Sequence, residues 1–471
     1  MLGQKIQVLT LNYMSMKFLK KLKNFFWPEI DAENRINLFE KSQKIKNFFY
    51  NRKNFAYIRT FGDLVFLTLI LLGLFGPQDP KKNIMLFLAW GVWWTSLVFS
   101  WFFLGRMWCA FCPFPGLARL LQNLNLSLFK NPPEIFKKNG IHLATALFFL
   151  IIWLETTTPL TSSPRYTALF LLSIVLLAAF FGVLYREYAW CRYLCPLGRI
   201  TGVAATMATI EFRPDYQICK NCKEAHCKKG KAGVRPCPVY LGAVAVQNNL
   251  NCFICGHCLI LCPYESPAIY LRHPLKEIIL NKGKGITCAY VIPFLIGSQL
   301  ARFLVEKDFF HNWALGLGIS SNFLFTLLFF WFSVSLIIIT KLAASFFRVI
   351  EDPILGKFNL TIAILIPFAF TGELIYRSKY FLKNLGDFFP TLGRQFGIES
   401  LLKWGFIIPE SYIQIWCLFL LNLSLIGSLY LIFYFYYKDF EREIPFKRYL
   451  HFLGIVLGIY FSYFLLIFTS R

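Results

Sequence analysis

Nine stretches of this chain, each of roughly twenty mostly apolar residues, have the length that crosses the hydrocarbon core of a bilayer as a helix. They run approximately from Tyr57 to Gly76, Asn83 to Leu104, Ile141 to Leu160, Tyr166 to Tyr185, Ile286 to Val305, Asn312 to Thr340, Leu360 to Tyr376, Tyr412 to Tyr437 and Leu450 to Phe468. Lipid offers the backbone no hydrogen-bond partners, so such stretches must pair their own amides as helices. Composition agrees: 56% of residues are hydrophobic, only 16% are charged, and Phe alone occurs 53 times. An ordinary soluble enzyme is excluded. The expected fold class is mainly α, a polytopic transmembrane helical protein of about nine helices, with the sixth stretch long enough to tilt or kink.

Between Thr206 and Lys284 no stretch can cross a bilayer, and the chain turns polar, basic and rich in cysteine. Four regions follow: a basic segment over 1–56, a four-helix membrane module over 57–205, an inserted small α+β domain over 206–284, and a membrane module of about five helices over 285–471. The first region carries Lys20, Lys21, Lys23, Lys44, Lys46, Arg52 and Lys53 and no cleavable signal pattern, so it reads as a cytoplasmic segment lying on anionic lipid. Lys and Arg collect on the cytoplasmic side of membrane proteins, so a net charge of +24 does not imply nucleic-acid binding. Arg106, Arg119, Lys130, Lys137, Arg186, Arg192 and Arg199 then fall inside, and the cysteine-rich domain with them. One connection disagrees: residues 377–410 should lie outside yet contain Arg377, Lys379, Lys383, Arg394 and Lys403.

All but two of the 14 cysteines lie between Cys109 and Cys262. Cys252, Cys255, Cys258 and Cys262, followed by Pro263, spell the C-x2-C-x2-C-x3-C-P run of bacterial iron–sulfur proteins. Cys219, Cys222, Cys227 and Cys237, followed by Pro238, are a stretched version. In two-cluster ferredoxins the fourth cysteine of each run serves the other cluster. One 4Fe-4S cluster would therefore take Cys219, Cys222, Cys227 and Cys262, and the other Cys252, Cys255, Cys258 and Cys237. A structural zinc is the alternative for such thiolates, although zinc ribbons favour two separated C-x2-C knuckles. Lys220, Lys223, Lys228, Lys229, Lys231 and Arg235 surround the stretched run, as a solvated face or as an attraction for an acidic electron carrier. Two shorter motifs, Cys109 with Cys112 and Cys191 with Cys195, each run into a proline at the inner ends of the second and fourth stretches. The likeness of their flanks suggests a duplicated hairpin that brings the four sulfurs together, to bind a third cluster, exchange a disulfide, hold a metal ion or play a structural part.

This order of hairpins, Cys-Pro motifs and double cluster run resembles the NapH/NosR/CcoG group of membrane polyferredoxins over approximately Tyr57 to Pro274. The resemblance implies a ferredoxin-like domain on the cytoplasmic side of a prokaryotic inner membrane. It also implies electron transfer between the quinone pool and an iron–sulfur or cytochrome partner subunit, so that the chain would be the quinol-dehydrogenase component of an electron-transfer chain. The CcoG likeness implies an alternative, an assembly or regulatory factor for a respiratory metalloenzyme whose Cys-Pro thiols reduce or hand over a metal. Three departures stand out: the first Cys-Pro pair is C-x2-C where the group has C-x3-C, the first cluster run is stretched, and the last five helices have no counterpart in NapH-type proteins. A third reading, a redox-driven pump, wants paired charges at midplane, which the sequence hardly offers.

The six histidines offer no C-x-x-C-H, which excludes ordinary c-type haem attachment. His142, His311 and His451 lie near expected helix ends, and His226 and His257 lie inside the cluster runs as neighbours of the ligands. Asp63, Arg302 and Glu373 are charges within expected spans. Arg302 and Glu373 read either as a structural ion pair or as part of a quinol site with a proton acceptor near His311. Cys288 and Cys417 stand alone in apolar surroundings and read as packing residues.

Overall fold

The computed structural model describes residues 35–231, 233–280, 290–347, 359–440 and 447–469. Lys20, Lys21, Lys23, Lys284, Cys288 and Arg471 lie outside the described residues. Within them, long helices run back and forth as α1 (Arg52–Phe75), α2 (Ile84–Trp101), α3 (Glu134–Thr157) and α4 (Pro164–Leu184). After the cysteine-rich domain come α5 (Val291–Val305), α6 (Ser321–Phe347), α7 (Asn359–Leu385), α8 (Glu410–Phe440) and α9 (Lys447–Phe468). Seven of these are long and apolar enough to cross a membrane. The other two are α5, only 15 residues long, and α7, which carries Glu373, Arg377, Lys379 and Lys383. Both are central helices. All but two residues of α5 are buried, so neighbouring side chains rather than lipid surround it and its length need not match a bilayer.

Local sequence sets the helix ends. Ser163 accepts from the Tyr166 amide and Pro164 takes the first turn of α4, where a missing N–H costs nothing. Asn83 caps α2 by accepting from the Met85 amide at 3.0 Å, while its amide donates to the Leu72 and Pro77 carbonyls and ties the α1–α2 turn. In α2 the backbone loosens into a π-helical stretch over Phe87–Trp93, a distortion that often accompanies functional sites.

A three-stranded antiparallel sheet forms the base of the cysteine-rich domain, in the order β1-β3-β2 (β1 Arg35–Asn37, β2 Ile210–Arg213, β3 Ala268–Arg272). Its first strand comes from the segment before α1, with Arg35 opposite Arg272. The sheet is fastened to the membrane module through the Thr209 amide, which donates to the Phe102 carbonyl just beyond α2. A buried ionic cluster adds to this: Arg213 and Arg272 both pair with Glu211 and Glu277, and Arg272 also donates to the Ala205 and Ala208 carbonyls.

The 377–410 connection packs on the turn after α1, at the end of the bundle away from the cluster runs and the Cys-Pro motifs. Arg394 Nε donates to the Lys81 carbonyl at 2.7 Å, and the Ile84 amide donates to Gln395 at 2.8 Å. Arg377, Lys379 and Lys383 belong to α7 itself, and four of the five cations are paired: Arg377 with Glu155 and Glu373, Lys379 with Glu306, Lys383 with Glu410, and Arg394 with Asp387, while Lys403 is exposed. That pairing offsets most of the positive charge that a count of Lys and Arg alone assigns to this stretch.

Candidate iron–sulfur sites and an apolar slot

Twisted loops carry the two cluster runs. Ala225, Tyr240, Ile254 and Glu265 all adopt left-handed backbone angles, with Ile254 at φ 51° between Cys252 and Cys255. For a β-branched residue this is a strained conformation, which persists where surrounding structure fixes a functional loop. Gly256, at φ 80°, allows the Phe49 carbonyl a close approach, since a Cβ there would lie 3.2 Å from that oxygen.

The sulfurs gather in the crossed sets. Cys219 neighbours Cys262, Cys227 and Cys222, while Cys237, Cys252, Cys255 and Cys258 line one small enclosed space together with Gly242 and Gly256. The sets adjoin, because the Cys258 thiol hydrogen-bonds to both Cys227 and Cys237 and lowers each of those thiols to about 6. Burial pushes Cys252 and Cys255 up to about 12. Such thiols would give up their protons to solvent on coordinating a metal, and a donor set of four sulfurs around a shared space fits an iron–sulfur cluster. Among the described residues no three His, Cys, Asp or Glu side chains are close enough to clasp a single metal ion. His257 donates through Nδ1 to the Pro236 carbonyl at 3.2 Å, fixing the residue before Cys237. Burial shifts its titration downward, toward the neutral ring. The flanking Lys220, Lys223, Lys228, Lys229 and Lys231 are exposed, whereas Arg235 donates to Gln122 and Asn123.

The Cys-Pro motifs converge as well. Cys109, Cys112, Cys191 and Cys195 are mutual neighbours, each raised in pKa first by burial, Cys195 to about 11, with the adjoining sulfurs adding to the rise at Cys112, Cys191 and Cys195. Their unequal spacing is absorbed by the backbone. Cys109 starts from an α-helical turn (Trp108–Phe111) with Cys112 at its end, whereas Cys191 lies in a π-helical turn (Trp190–Leu194) closed by the Cys195 amide donating to the Trp190 carbonyl at 2.8 Å. The wider π turn holds the extra residue of C-x3-C, so the two pairs meet despite the difference in sequence. Cys109 and Cys191 also pack against the cluster of Cys237, Phe253 and Cys255, which places this quartet beside the second set.

Arg106 stands between them. It is 2% exposed, donates through Nη1 to the Leu250 carbonyl at 2.6 Å, and holds its guanidinium 4.8 Å above the Phe253 ring. It bonds Cys109 and lowers that thiol against the rise from burial. Gly198 makes room for it, since a Cβ there would lie 3.0 Å from Nη2. From sequence, Arg106 is one cation among many in an inner loop; only packing distinguishes it.

Beneath the quartet an apolar slot enters the bundle. Cys195, Pro196 and Leu197 close one end, Trp93, Trp94 and Phe148 line its walls, and Glu155 and Thr167 lie at the other end. Phe148 to Glu155 on α3 spans about 10 Å at 1.5 Å per residue. The indole N–H groups of Trp93 and Trp94 have no hydrogen-bond partner among the described residues, and the two rings are stacked at 5.2 Å. Asp63, expected as an intramembrane charge, lies by a second pocket near the cysteines, in a bidentate pair with Arg119 at 2.7 and 2.8 Å. Arg302 and Glu373 do form an ion pair, and His311 is instead exposed beside Ser321. Glu155, near the end of the third apolar stretch, is the residue sequence reasoning passed over: it belongs to α3 and is buried. The clue was an acidic residue ending an apolar stretch.

Residues 86–131 and 167–207 match a family described as a 4Fe-4S binding domain. Those two stretches hold the four Cys-Pro cysteines and none of the eight in the cluster runs. Three curated relatives match parts of the chain. An uncharacterized protein of Methanocaldococcus jannaschii is 26% identical over 34% of this chain and 63% of its own length. The YccM protein of Escherichia coli, which bears an electron-transport name, is 30% identical over 24% and 29%, and the ferredoxin-type protein NapH of Escherichia coli is 29% identical over 28% and 47%. The chain thus spans less than two thirds of each relative's length. No solved structure matches. Over these stretches the chain is thus similar to ferredoxin-type proteins such as NapH and to a 4Fe-4S binding domain family, and seven of its described helices are long and apolar enough to cross a membrane.

Proposed function

We propose that this protein passes electrons between the quinone pool and a redox partner, through two clusters held by Cys219, Cys222, Cys227 and Cys262 and by Cys252, Cys255, Cys258 and Cys237. A third is proposed at Cys109, Cys112, Cys191 and Cys195. The observation that carries the reading is the slot: an apolar, tryptophan-lined space that begins at Cys195 and Pro196, directly under a cysteine quartet adjoining the second set. The aromatic lining of Trp93, Trp94, Phe148 and Phe170 suits the apolar ring of a quinone. Bound clusters would supply single-electron uptake and release. The protein's own part is to order the sulfurs from surface to membrane, exclude water and supply charge. Buried Arg106 favours added negative charge at both the quartet and the second set.

The sulfur end is proposed to face the cytoplasm, supported by Arg119, Lys130, Lys137 and Arg186 on that side. Its exposed lysines around Cys219–Cys227 would receive an acidic partner. The convergence of the Cys-Pro thiols also gives the alternative, metal reduction or transfer during assembly of another enzyme, its footing. Anaerobic purification with iron and sulfide counts separates the two. Three clusters' worth of iron, reduced on addition of a short-chain quinol and visible by low-temperature EPR, is the expected result. Two clusters' worth with metal-dependent oxidation of Cys109, Cys112, Cys191 and Cys195 would favour the alternative, and zinc in place of iron would overturn electron transfer.

A further inference from the structure

The Glu155 carboxylate is only half satisfied. Oε2 accepts from Arg377 Nη2 at 2.7 Å, while Oε1 has no hydrogen-bond partner among the described residues, although the side chain is just 2% exposed. A buried carboxylate oxygen left bare is costly, and such groups persist where a function uses them.

Its place in the bundle points to that use. Glu155 lines the apolar slot that ends at Cys195, and it also lines a polar vestibule bounded by Arg377, Lys379, Lys383, Glu306 and Glu410 at the end of the bundle away from the cysteine quartet. Trp90 is the other main residue common to both, and it is pinned by its Nε1 donating to Thr167 Oγ1 at 3.1 Å. A thin wall therefore separates the two spaces, and its ionisable member is Glu155. We infer that Glu155 Oε1 exchanges protons with a two-electron, two-proton aromatic carrier in the slot, and that the vestibule is the route of those protons to the far side. The inference rests on the quinone reading proposed above.

Oxidation of one quinol to a quinone breaks two O–H bonds and yields two electrons and two protons. The electrons leave singly toward cysteine-ligated one-electron acceptors at the Cys195 end. The protons leave one at a time onto Oε1, and Glu155 unloads into the vestibule between them; reduction of a quinone runs the same steps backward. The surrounding charges permit this cycle. Arg377 is shared between Glu155 and Glu373, and Arg302 pairs with Glu373 as well, so two guanidiniums face two carboxylates. When Glu155 takes a proton, Arg377 keeps its second partner through Nε to Glu373 at 2.8 Å, and its guanidinium rests 4.7 Å from the Trp94 ring. The groups facing Glu155 are thus Arg377 and Glu373 from α7 and Arg302 from α5, with Glu306, Lys307, Lys379, Lys383 and Glu410 around the vestibule.

The test uses the full chain with its clusters, reconstituted in lipid, and a short-chain benzoquinol as probe. Quinone binding is read by quenching of tryptophan fluorescence, electron transfer by cluster bleaching in stopped flow, and the proton by infrared difference spectra of the carboxyl region. Glu155→Gln should bind the quinone within twofold of wild type. It should reduce its clusters about a hundredfold more slowly, at the low end of what a positioned base contributes. Its rate should no longer depend on pH, and a carboxyl band seen in wild type should be absent. Glu155→Asp should keep the pH dependence at a reduced rate and shift the band. A Gln variant with wild-type rate and pH profile, or a band unmoved in both variants, would overturn the assignment. If wild type itself shows neither quenching nor cluster reduction by the quinol, the quinone reading falls and this one with it. Should the Gln variant lose its iron on purification, the band shift in the Asp variant decides.

Discussion

The two ends of the slot are built in different ways. At the Cys195 end, all four sulfurs sit in short motifs, and the two Cys-Pro pairs are brought together by the helices that precede them. At the Glu155 end, the partners are Glu155 and Arg377, 222 residues apart, joined through Glu373 to Arg302 on a third helix. Local spacing encodes the first end, and tertiary packing alone assembles the second. Consequently a substitution at the sulfur end should act on the metal it holds, while one at the carboxylate end should act on the stability of the bundle or on a proton.

The largest effect that tests this contrast is expected from Cys258→Ser. Cys258 belongs to the second set and also bonds Cys227, so its loss should remove one cluster's worth of iron and weaken the adjoining set. Iron and sulfide counts with EPR check this, and helical content by circular dichroism should barely move. A variant that keeps its full iron would break the proposed assignment of ligands.

Second comes Glu373→Gln. It leaves Arg302 and Arg377 buried with a neutral partner in place of the shared carboxylate, and breaking a buried pair costs about 3–5 kcal/mol. Thermal unfolding in detergent should shift clearly downward while iron per folded chain stays constant. Replacing Arg302 and Glu373 together by Met and Leu should recover much of that loss, because removing both charges removes the desolvation cost too. Equal stability for the single and double variants would show that these charges do not hold α5 to α7.

The same contrast explains what could be read in the amino-acid sequence. Nine helical stretches were legible because hydropathy reports lipid or apolar surroundings directly, and seven of them pass as spans on length and composition. The expected sets, from ferredoxin spacing, are those in which Cys219 neighbours Cys262 and Cys252 neighbours Cys237. Three things were not legible. Recruitment of Arg35–Asn37 into the sheet depends on an edge of β3 that no local pattern announces. The convergence of the Cys-Pro pairs was expected from their duplicated flanks, but the π turn that fits C-x3-C against C-x2-C was not, because i-to-i+5 pairing leaves no periodic mark in five residues. The burial of Glu155 depends on a cation supplied from the other half of the chain.

Arg106 gives the third prediction, and it links the quartet to the second set. Arg106→Gln should keep the fold, since Gln can still donate toward the Leu250 carbonyl, but it removes a buried positive charge beside Cys109. Unit charges about 4 Å apart interact by about 1–4 kcal/mol as the dielectric falls from water to a protein surface. The midpoint potentials of the clusters should therefore fall by tens of millivolts, measured by redox titration followed by EPR. An unchanged potential would mean the charge is screened from the sulfurs, and the link between the two sites would have to be carried by packing alone.

The smallest effect is expected from Lys383→Ala, and its smallness is informative. Lys383 and Glu410 lie 3.7 Å apart at the rim of the vestibule, with side chains 36% and 49% exposed. Exposed pairs of this kind contribute only about 0–1 kcal/mol, because water screens the attraction and two flexible side chains must be held still. Thermal stability should hardly change, and raising the salt concentration should erase whatever difference remains. The buried chain from Arg302 to Glu155 should be insensitive to salt, since solvent does not reach it. If Lys383→Ala instead destabilised the bundle as much as Glu373→Gln, the vestibule would be a closed ionic core rather than an opening to solvent. A proton released at Glu155 would then have no path through it.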